Sequence, residues 1–394
     1  RPCTSQMGGC AKLIVRVYAT NVSEHSTVLV TGNQPCLGNW DPKQARPLNR
    51  KEFGWFEGII DLPFGFPSRF EYKYFIDSDG ASDSSAVHWE PISNRLGSTG
   101  GKNSYLVDIF GDGSVPRQYD NQQVEARIMS FNIRYDNPGD GIHRWDLRKE
   151  YVAQVVRLWK PLVVGFQEVL HQQLQFLAGT LSEAYSWVGV GRDDGQTSGE
   201  YSPIFYNHKE LKLLDQGTFW LSETPWNVGS RSWKSACTRV CTWVKLQLLD
   251  HPQSTPFFVF NTHLDHQSTE ARIKGLELIN TLFHAWTGSC PAVITGDFNE
   301  FPNQAPISTV LEKDTAYPAA LANSKAVAEN PFIGPDITFP NWDGVTWAGW
   351  IDYILTKPWM RVTNFSVIEQ RGNKLPISDH YPIIADICIP VGTD

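Results

Sequence analysis

The spacing of apolar residues changes once along this chain, and that change fixes its gross organisation. From Lys12 to Phe110 they fall in short β-rich runs: Leu13 to Tyr18, Val28 to Thr31, Trp55 to Leu62, Phe70 to Ile76 and Tyr105 to Ile109. Gly, Pro, Asn and Asp clusters separate the runs and no helical period is present, which predicts an all-β antiparallel sandwich over residues 10–110. Gly111-Asp112-Gly113-Ser114-Val115-Pro116 opens a polar stretch, and residues 111–124 read as a linker too short for a domain of its own. Beyond it, Arg127 to Phe131 and Leu162 to Phe166 are strand-like, while Val152, Val155, Val156 and Trp159 between them keep helical spacing. Phe257 to Phe260 and Ala292 to Ile294 flank a second helical stripe, Leu276, Ile279, Phe283 and Trp286. Residues 125–390 are therefore expected to be α/β, with sheets packed together and covered by helices.

Composition narrows the function classes. At 394 residues the chain exceeds what one hydrophobic core usually serves, in keeping with two domains. A hydrophobic share of 41% and a charged share of 19% suit an ordinary globular protein, and no apolar run approaches the roughly 20 residues of a membrane helix, so no membrane partner is expected. The net charge of −8 repels polyanions, and no Lys/Arg-rich stripe interleaves with aromatics. No stable nucleic-acid complex is expected, although a rapidly turning-over nuclease stays open. The seven cysteines show no paired C-x-x-C spacing, which argues against structural zinc and leaves disulfide pairing open. Two sequons, Asn21-Val22-Ser23 and Asn364-Phe365-Ser366, together with a chain that opens at Arg1, lead to the expectation of a processed, secreted glycoprotein.

Polar residues stand where the apolar strands of the second half end. Asn132 follows Ile128-Met129-Ser130-Phe131; Gln167-Glu168 follow Val163-Val164-Gly165-Phe166; His263 follows Phe258-Val259-Phe260-Asn261-Thr262. Asp297 and Asn299 follow Val293-Ile294-Thr295-Gly296, and Asp379-His380 precede Tyr381-Pro382-Ile383-Ile384. Read singly, Glu168 could cap a helix and His263 could be a satisfied core histidine. Gathered at strand ends, such carboxylates and histidines are what a hydrolytic metal site requires, and oxygen ligands suit magnesium or manganese.

The segments Ser130-Phe131-Asn132, Gln167-Glu168, Asn261-Thr262-His263-Leu264, Gly296-Asp297-Phe298-Asn299, Ile351-Asp352-Tyr353 and Ser378-Asp379-His380 resemble, in order, the motifs of the endonuclease/exonuclease/phosphatase superfamily. The resemblance covers Glu125 to Pro390 and implies a four-layer α/β sandwich that cleaves phosphoesters with a divalent metal. It implies Glu168 as principal metal ligand, with Asn132 and Asp379 completing or supporting the shell. Asp297 would position or deprotonate the attacking water, unless a histidine takes that role, and Asn299 would orient the phosphate. His380, held by Asp352, and His263, held by Glu200, would donate to the phosphoryl oxygens, with Arg239 serving the same end. Gly191-Arg192-Asp193-Asp194-Gly195 reads as a loop at the cleft mouth, where Arg192 could meet a substrate anion.

The first half carries Thr31-Gly32-Asn33, Leu37-Gly38-Asn39-Trp40-Asp41, Phe70-Glu71-Tyr72-Lys73-Tyr74, Trp89-Glu90 and Asn94-Arg95, an order that resembles the family-20 carbohydrate-binding modules that bind starch. The resemblance implies that Trp40 and Trp89 stack on glucose beside Lys73 and Asn94. That family's second sugar site has no tyrosine counterpart near Leu29, so a single-site or weaker grip is expected. Joining a starch anchor to a phosphoesterase suggests a phosphorylated sugar or glucan as substrate, because tethering raises the local concentration of the reacting group. A starch-tethered nuclease and a non-catalytic starch-binding protein are the alternatives.

Overall fold

The computed structural model describes residues 11–19, 22–23, 25–50, 55–63, 66–78, 87–90, 94–98, 103–109, 123–311, 321–342, 349–369, 371–372 and 375–391. Cys3, Cys10, Asn21 and residues 111–122 of the expected linker lie outside them. The chain divides into two compact units, the second comprising Glu125–Lys357 and Arg361–Ile389. Among the described residues no helix is long and apolar enough to cross a membrane.

The first unit is built from β1 (Lys12–Tyr18), β2 (Thr27–Gly32), β3 (Arg46–Arg50), β4 (Trp55–Asp61), β5 (Arg69–Asp77), β6 (Val87–Trp89), β7 (Arg95–Ser98) and β8 (Asn103–Ile109), paired in the order β6-β5-β2-β3-β4-β1-β8 with β7 also on β5. Alternation drives its core: Leu13, Val15 and Val17 of β1 and Phe70, Tyr72 and Tyr74 of β5 point inward and are buried together with Val28, Val30 and Phe56. One pair departs from the expected antiparallel pattern, since β1 and β8 run parallel with Ile14 opposite Tyr105. Parallel neighbours need a long crossover, and the six intervening strands supply it.

The second unit holds β9 (Gln123–Asn132), α1 (Trp145–Trp159), β10 (Val163–Gln167), α2 (His171–Leu181), β11 (Tyr185–Val188), β12 (Ile204–Asn207), β13 (Leu211–Trp220), β14 (Val240–Leu248), β15 (Phe257–His263), α3 (Thr269–Thr287), β16 (Ala292–Asp297), α4 (Ala305–Leu311), β17 (Ala322–Asn323), α5 (Ser324–Val327), β18 (Asp352–Thr356), β19 (Val362–Val367), the short ribbon β20 (Arg371–Gly372) with β21 (Leu375–Pro376), and β22 (Ile383–Pro390). Two six-stranded sheets result, β11-β12-β10-β9-β22-β19 and β13-β14-β15-β16-β18-β17. Every residue of β10, β15 and β16 is buried, as expected of central strands covered on both faces. Trp145, Val152 and Val156 of α1 and Leu174 and Leu177 of α2 pack on Phe131 and Phe166 of the first sheet. On the second sheet α3 packs through rings, Phe283 on Phe260 at 5.3 Å and Trp286 on Trp243 at 5.1 Å between centroids. Helices, sheet, sheet and helices make the four-layer sandwich.

Where the two sheets meet, a polar cluster replaces apolar packing. Asn261 of β15 donates to the carbonyls of Phe166 at 2.7 Å and Pro203 at 3.1 Å, and its Oδ1 accepts from Gln167 Nε2 at 2.7 Å and Thr295 Oγ1 at 3.0 Å. An amide has two N–H groups and two lone pairs, so this buried side chain is fully used. Gly165 lets the sheets approach, because a Cβ there would stand 2.2 Å from Thr295 Oγ1 and 2.5 Å from Asn261 Oδ1. Gly165→Ala is predicted to lower the unfolding free energy by about 1–3 kcal/mol by overpacking, read by denaturant titration; an unchanged midpoint would show that the sheets can yield.

Candidate active site

Register places the polar strand ends side by side. In the parallel pair β9/β10 Asn132 lies opposite Gln167, and in β15/β16 His263 lies opposite Asp297, which in turn pairs with Asp352 across antiparallel β18. Asn132 then joins the halves: its Nδ2 donates to Glu168 Oε1 at 3.1 Å and to Asp297 Oδ2 at 2.9 Å. The loop bearing Asp379 and His380 is tied to the same strand end, since Ser378 Oγ donates to the Asn132 carbonyl at 2.7 Å. From α1, buried Arg148 gathers the carbonyls of Ile133 at 2.7 Å, Ile377 at 2.8 Å and Arg134 at 3.1 Å, holding both loops. Arg134, Glu168 and Asn299 sit in the left-handed backbone region, with φ of 59°, 60° and 50°. Such conformations cost roughly 1–3 kcal/mol for side chains other than glycine or asparagine and cluster at functional sites.

Burial and mutual charge set the protonation states. His380 donates through Nδ1 to Asp352 Oδ2 at 2.9 Å, with Nε2 3.6 Å from Asp297 Oδ2. Burial alone would lower its pKa, but Asp352, Asp297 and Asp379 outweigh that and lift it to about 10, so the ring is charged at neutral pH. Asp297 is pushed up to about 7 by burial and by Asp352, against His380 and the amides of Asn299 and Asn132. Burial and the cations Arg239 and Arg192 hold His263 well below its ordinary value. The Asn299 amide donates to His263 Nε2 at 2.9 Å and to the Leu264 carbonyl at 3.0 Å, and an accepting Nε2 puts the ring proton on Nδ1. Glu200 Oε2 lies 3.8 Å from that Nδ1, beyond hydrogen-bond reach, and accepts instead from Arg192 NH1 at 2.6 Å. Arg192 itself is largely buried rather than a solvated loop residue, and Arg239 stands 3.9 Å from the same Glu200 oxygen.

A hard divalent cation fits this donor set. Oxygen atoms of Glu168 and Asp297 and a nitrogen of His263 lie within 4.8 Å of one another, as do those of Asp297, Asp352 and His380. Asp379 is raised by burial, joined by repulsion from Glu168, against the opposing charge of His380. Carboxylates held above their ordinary range by burial and by neighbouring carboxylates are what bound positive charge relieves. Arg134 answers part of that charge, 4.0 Å from Glu168 Oε2 and 3.8 Å from Asp379 Oδ2. Sequence reading missed Arg134 and Arg148, and the one available signal for Arg134 was its place two residues after Asn132.

In the first unit, Lys73 and Phe75 alternate with buried Tyr72 and Tyr74, and Phe75 pairs with Trp89 across β6, ring centroids 4.8 Å apart. Trp89 is 40% exposed, and Asn94 donates to Glu71 Oε2 at 3.1 Å, so Glu71, Lys73, Trp89 and Asn94 share one face. Glu90 and Arg95, a buried pair at 2.8 Å, brace the segments that carry Trp89 and Asn94. Trp40 joins the end of β2 through its N–H to the Gly32 carbonyl at 3.0 Å. Of the sequons, Asn364 lies half-buried in β19 with its amide on Asp386 at 3.2 Å. The described cysteines Cys36, Cys237, Cys241, Cys290 and Cys388 are free thiols.

Comparison with known proteins agrees with this geometry. Residues 12–107 match the starch binding domain and residues 129–380 the Endonuclease/Exonuclease/phosphatase family. A solved endonuclease/exonuclease/phosphatase from Bacteroides vulgatus is 36% identical, covering 68% of this chain and 99% of that one, with a TM-score of 0.63. A mannosyl-6-phosphatase from Bacteroides thetaiotaomicron is 28% identical over 66% of this chain and 99% of its own, with a TM-score of 0.60. A functionally unknown protein from Enterococcus faecalis is 30% identical over 66% of this chain and 98% of its own, also at 0.60. No curated protein matches significantly. With its family match spanning most of the chain, this protein belongs to the endonuclease/exonuclease/phosphatase family and carries a starch-binding domain before the catalytic unit.

Proposed function

We propose that this chain is a secreted, magnesium- or manganese-dependent phosphomonoesterase acting on sugar phosphates or phosphorylated α-glucan and anchored to starch. The observation that carries the reading is the union in one chain of a starch-binding domain with a phosphoesterase-family site. The similarity to a mannosyl-6-phosphatase along nearly that protein's whole length supports a sugar phosphate, and the net charge of −8 disfavours nucleic acid.

Glu168 and Asp379 would hold the cation in this reading through carboxylate oxygens, and Asn132 would support the shell through its amide N–H on Glu168 Oε1 at 3.1 Å. A cation held there would supply positive charge against the phosphoryl oxygens. Asp297 takes the proton of the attacking water, its Oδ2 fixed by Asn132 at 2.9 Å and its Oδ1 by the Asn299 N–H at 2.9 Å. His380 is poorly suited to that role because it already carries its proton, and His263 Nε2 is occupied by Asn299. His380 instead offers a charged donor to the phosphoryl oxygens, oriented by Asp352, while His263, Asn299, Arg239 and Glu200 complete the polar cluster around them.

Phosphate release with magnesium or manganese, run in parallel on glucose 6-phosphate, mannose 6-phosphate, phosphorylated starch and plasmid DNA, tests the reading. Turnover of a sugar or starch phosphate is expected, falling at least about 100-fold in Glu168→Ala. DNA nicking alone would favour a nuclease, and silence on all four a non-catalytic binding protein. In starch co-sedimentation, Trp89→Ala is expected to weaken retention about tenfold through lost stacking while leaving glucose 6-phosphate hydrolysis unchanged; full retention would remove Trp89 from the sugar site.

A further inference from the structure

The two carboxylates assigned to the divalent cation already face a cation that belongs to the chain. Among the described residues Arg134 is the one lysine or arginine with a nitrogen within 4.0 Å of either, standing 4.0 Å from Glu168 Oε2 and 3.8 Å from Asp379 Oδ2. Both separations exceed hydrogen-bond reach, so the contact is one of charge and uses none of the carboxylate lone pairs. Each Glu168 oxygen accepts one N–H, from Asn132 Nδ2 at 3.1 Å and from the Tyr135 backbone at 3.0 Å, and keeps a lone pair for a further partner.

Arg134 is held in this place at both ends. Its backbone, left-handed at φ 59°, donates its N–H to Asn132 Oδ1 at 2.9 Å. Its carbonyl accepts from Gln173 Nε2 at 3.0 Å and Arg148 NH2 at 3.1 Å. At the far end Nε and NH2 fork onto the two oxygens of Asp140, each at 3.1 Å, and the guanidinium lies over the Tyr135 ring, 4.6 Å from its centroid. Asp140 is fixed in turn by Asn137 Nδ2 at 3.2 Å. A side chain tied by its backbone, a bidentate fork and a ring cannot swing away when a second cation approaches.

The neighbouring charges leave Arg134 as the cation that Glu168 and Asp379 meet. Burial would lower its pKa, but Asp140, Asp379 and Glu168 outweigh that and keep it charged. Asp140 offsets part of the charge, so the ion pair turns its positive member to the two carboxylates. Arg148 spends its guanidinium on the carbonyls of His143, Ile133, Ile377 and Arg134, and Arg144 is paired with Asp136 at 3.1 Å.

We propose that Arg134 is a tethered counter-ion of the Glu168 and Asp379 pair: it holds the two carboxylates together before a divalent cation arrives and, being unable to leave, opposes that cation and limits the affinity of the site. Repulsion grows with the product of the charges, so a dication feels the fixed guanidinium twice as strongly as a monovalent ion does. The consequence is a cation that exchanges readily and whose occupancy follows its ambient level. The inference rests on the metal-ligand reading of Glu168 and Asp379 and adds to it what sets their affinity.

Isothermal titration of the full chain with manganese, without substrate and at mildly alkaline pH, reads the effect directly, with thermal melts in chelator and in excess manganese beside it. Arg134→Gln is expected to bind manganese about tenfold more tightly, as removal of a fixed charge a few ångströms away requires. It is expected to melt below wild type in chelator and to gain more on adding manganese. A residue that merely supported the ligands would give the opposite sign, because loosened ligands bind more weakly. Arg134→Lys keeps the charge and should stay within about threefold of wild type. Asp140→Asn removes the anion that offsets Arg134 and should weaken manganese about threefold, which carries the test should Arg134→Gln fail to fold. Unchanged or weaker binding by folded Arg134→Gln, or unchanged or tighter binding by Asp140→Asn, would overturn the proposal. Manganese binding that survives intact in Glu168→Ala would instead remove the metal-ligand reading beneath it, and that control tells the two failures apart.

Discussion

The site exists because two sheets are held in one fixed register, and the contact that holds them is the buried Asn261 amide. It spans from β15 to the Phe166 and Pro203 carbonyls and to Gln167 of the first sheet, with every donor and acceptor used. Apolar sheet packing tolerates sliding, because dispersion depends weakly on which methyl meets which. A saturated buried amide does not, because a shift leaves polar groups unpaired in a low-dielectric interior. Gly165 belongs to the same device, since any side chain there would part the sheets. Asn132 and Glu168 come from one sheet and Asp297, His263 and Asp352 from the other, so the constellation depends on that register.

Burial then turns the assembled groups into a reactive set. Asp297 and Asp379 are both held above the ordinary carboxylate range, while His380 is held charged and His263 neutral. Two histidines of one site are thus driven apart by their neighbours, Asp352 and Asp297 on one and Arg239 and Arg192 on the other, and separated protonation states of this kind assign separate roles. The strained backbone at Glu168 and Arg134 persists because Asn132, Arg148 and the Ser378 loop over-determine it.

Much of this was legible in the sequence. The helical stripes of α1 and α3 and the apolar runs of β9, β10, β15 and β16 follow from period alone, and the polar strand ends lie in the short motifs that mark the family. Other parts were not. Strand β3, Arg-Pro-Leu-Asn-Arg, buries Leu48 alone and carries a proline, so no alternation announces it. The parallel pairing of β1 with β8 joins segments from opposite ends of the unit, which no local pattern encodes. Arg134 and Arg148 look in sequence like ordinary surface cations, and although Arg192 and Arg239 stood out as candidates, only tertiary placement shows that all four are desolvated. Glu200 was expected on His263, yet the stronger charge of Arg192 within reach takes its hydrogen bond.

The most direct measurement is a double-mutant cycle across the inter-sheet contact, Asn261→Ala with Gln167→Ala, following unfolding free energy and phosphoesterase kcat together. The account predicts a loss of about 1–3 kcal/mol for Asn261→Ala, a coupling of about 0.5–3 kcal/mol with Gln167→Ala, and a kcat at least about tenfold lower in folded protein. Additive stabilities with full turnover by the folded variants would contradict it and would mean that the two halves of the site find each other without this contact.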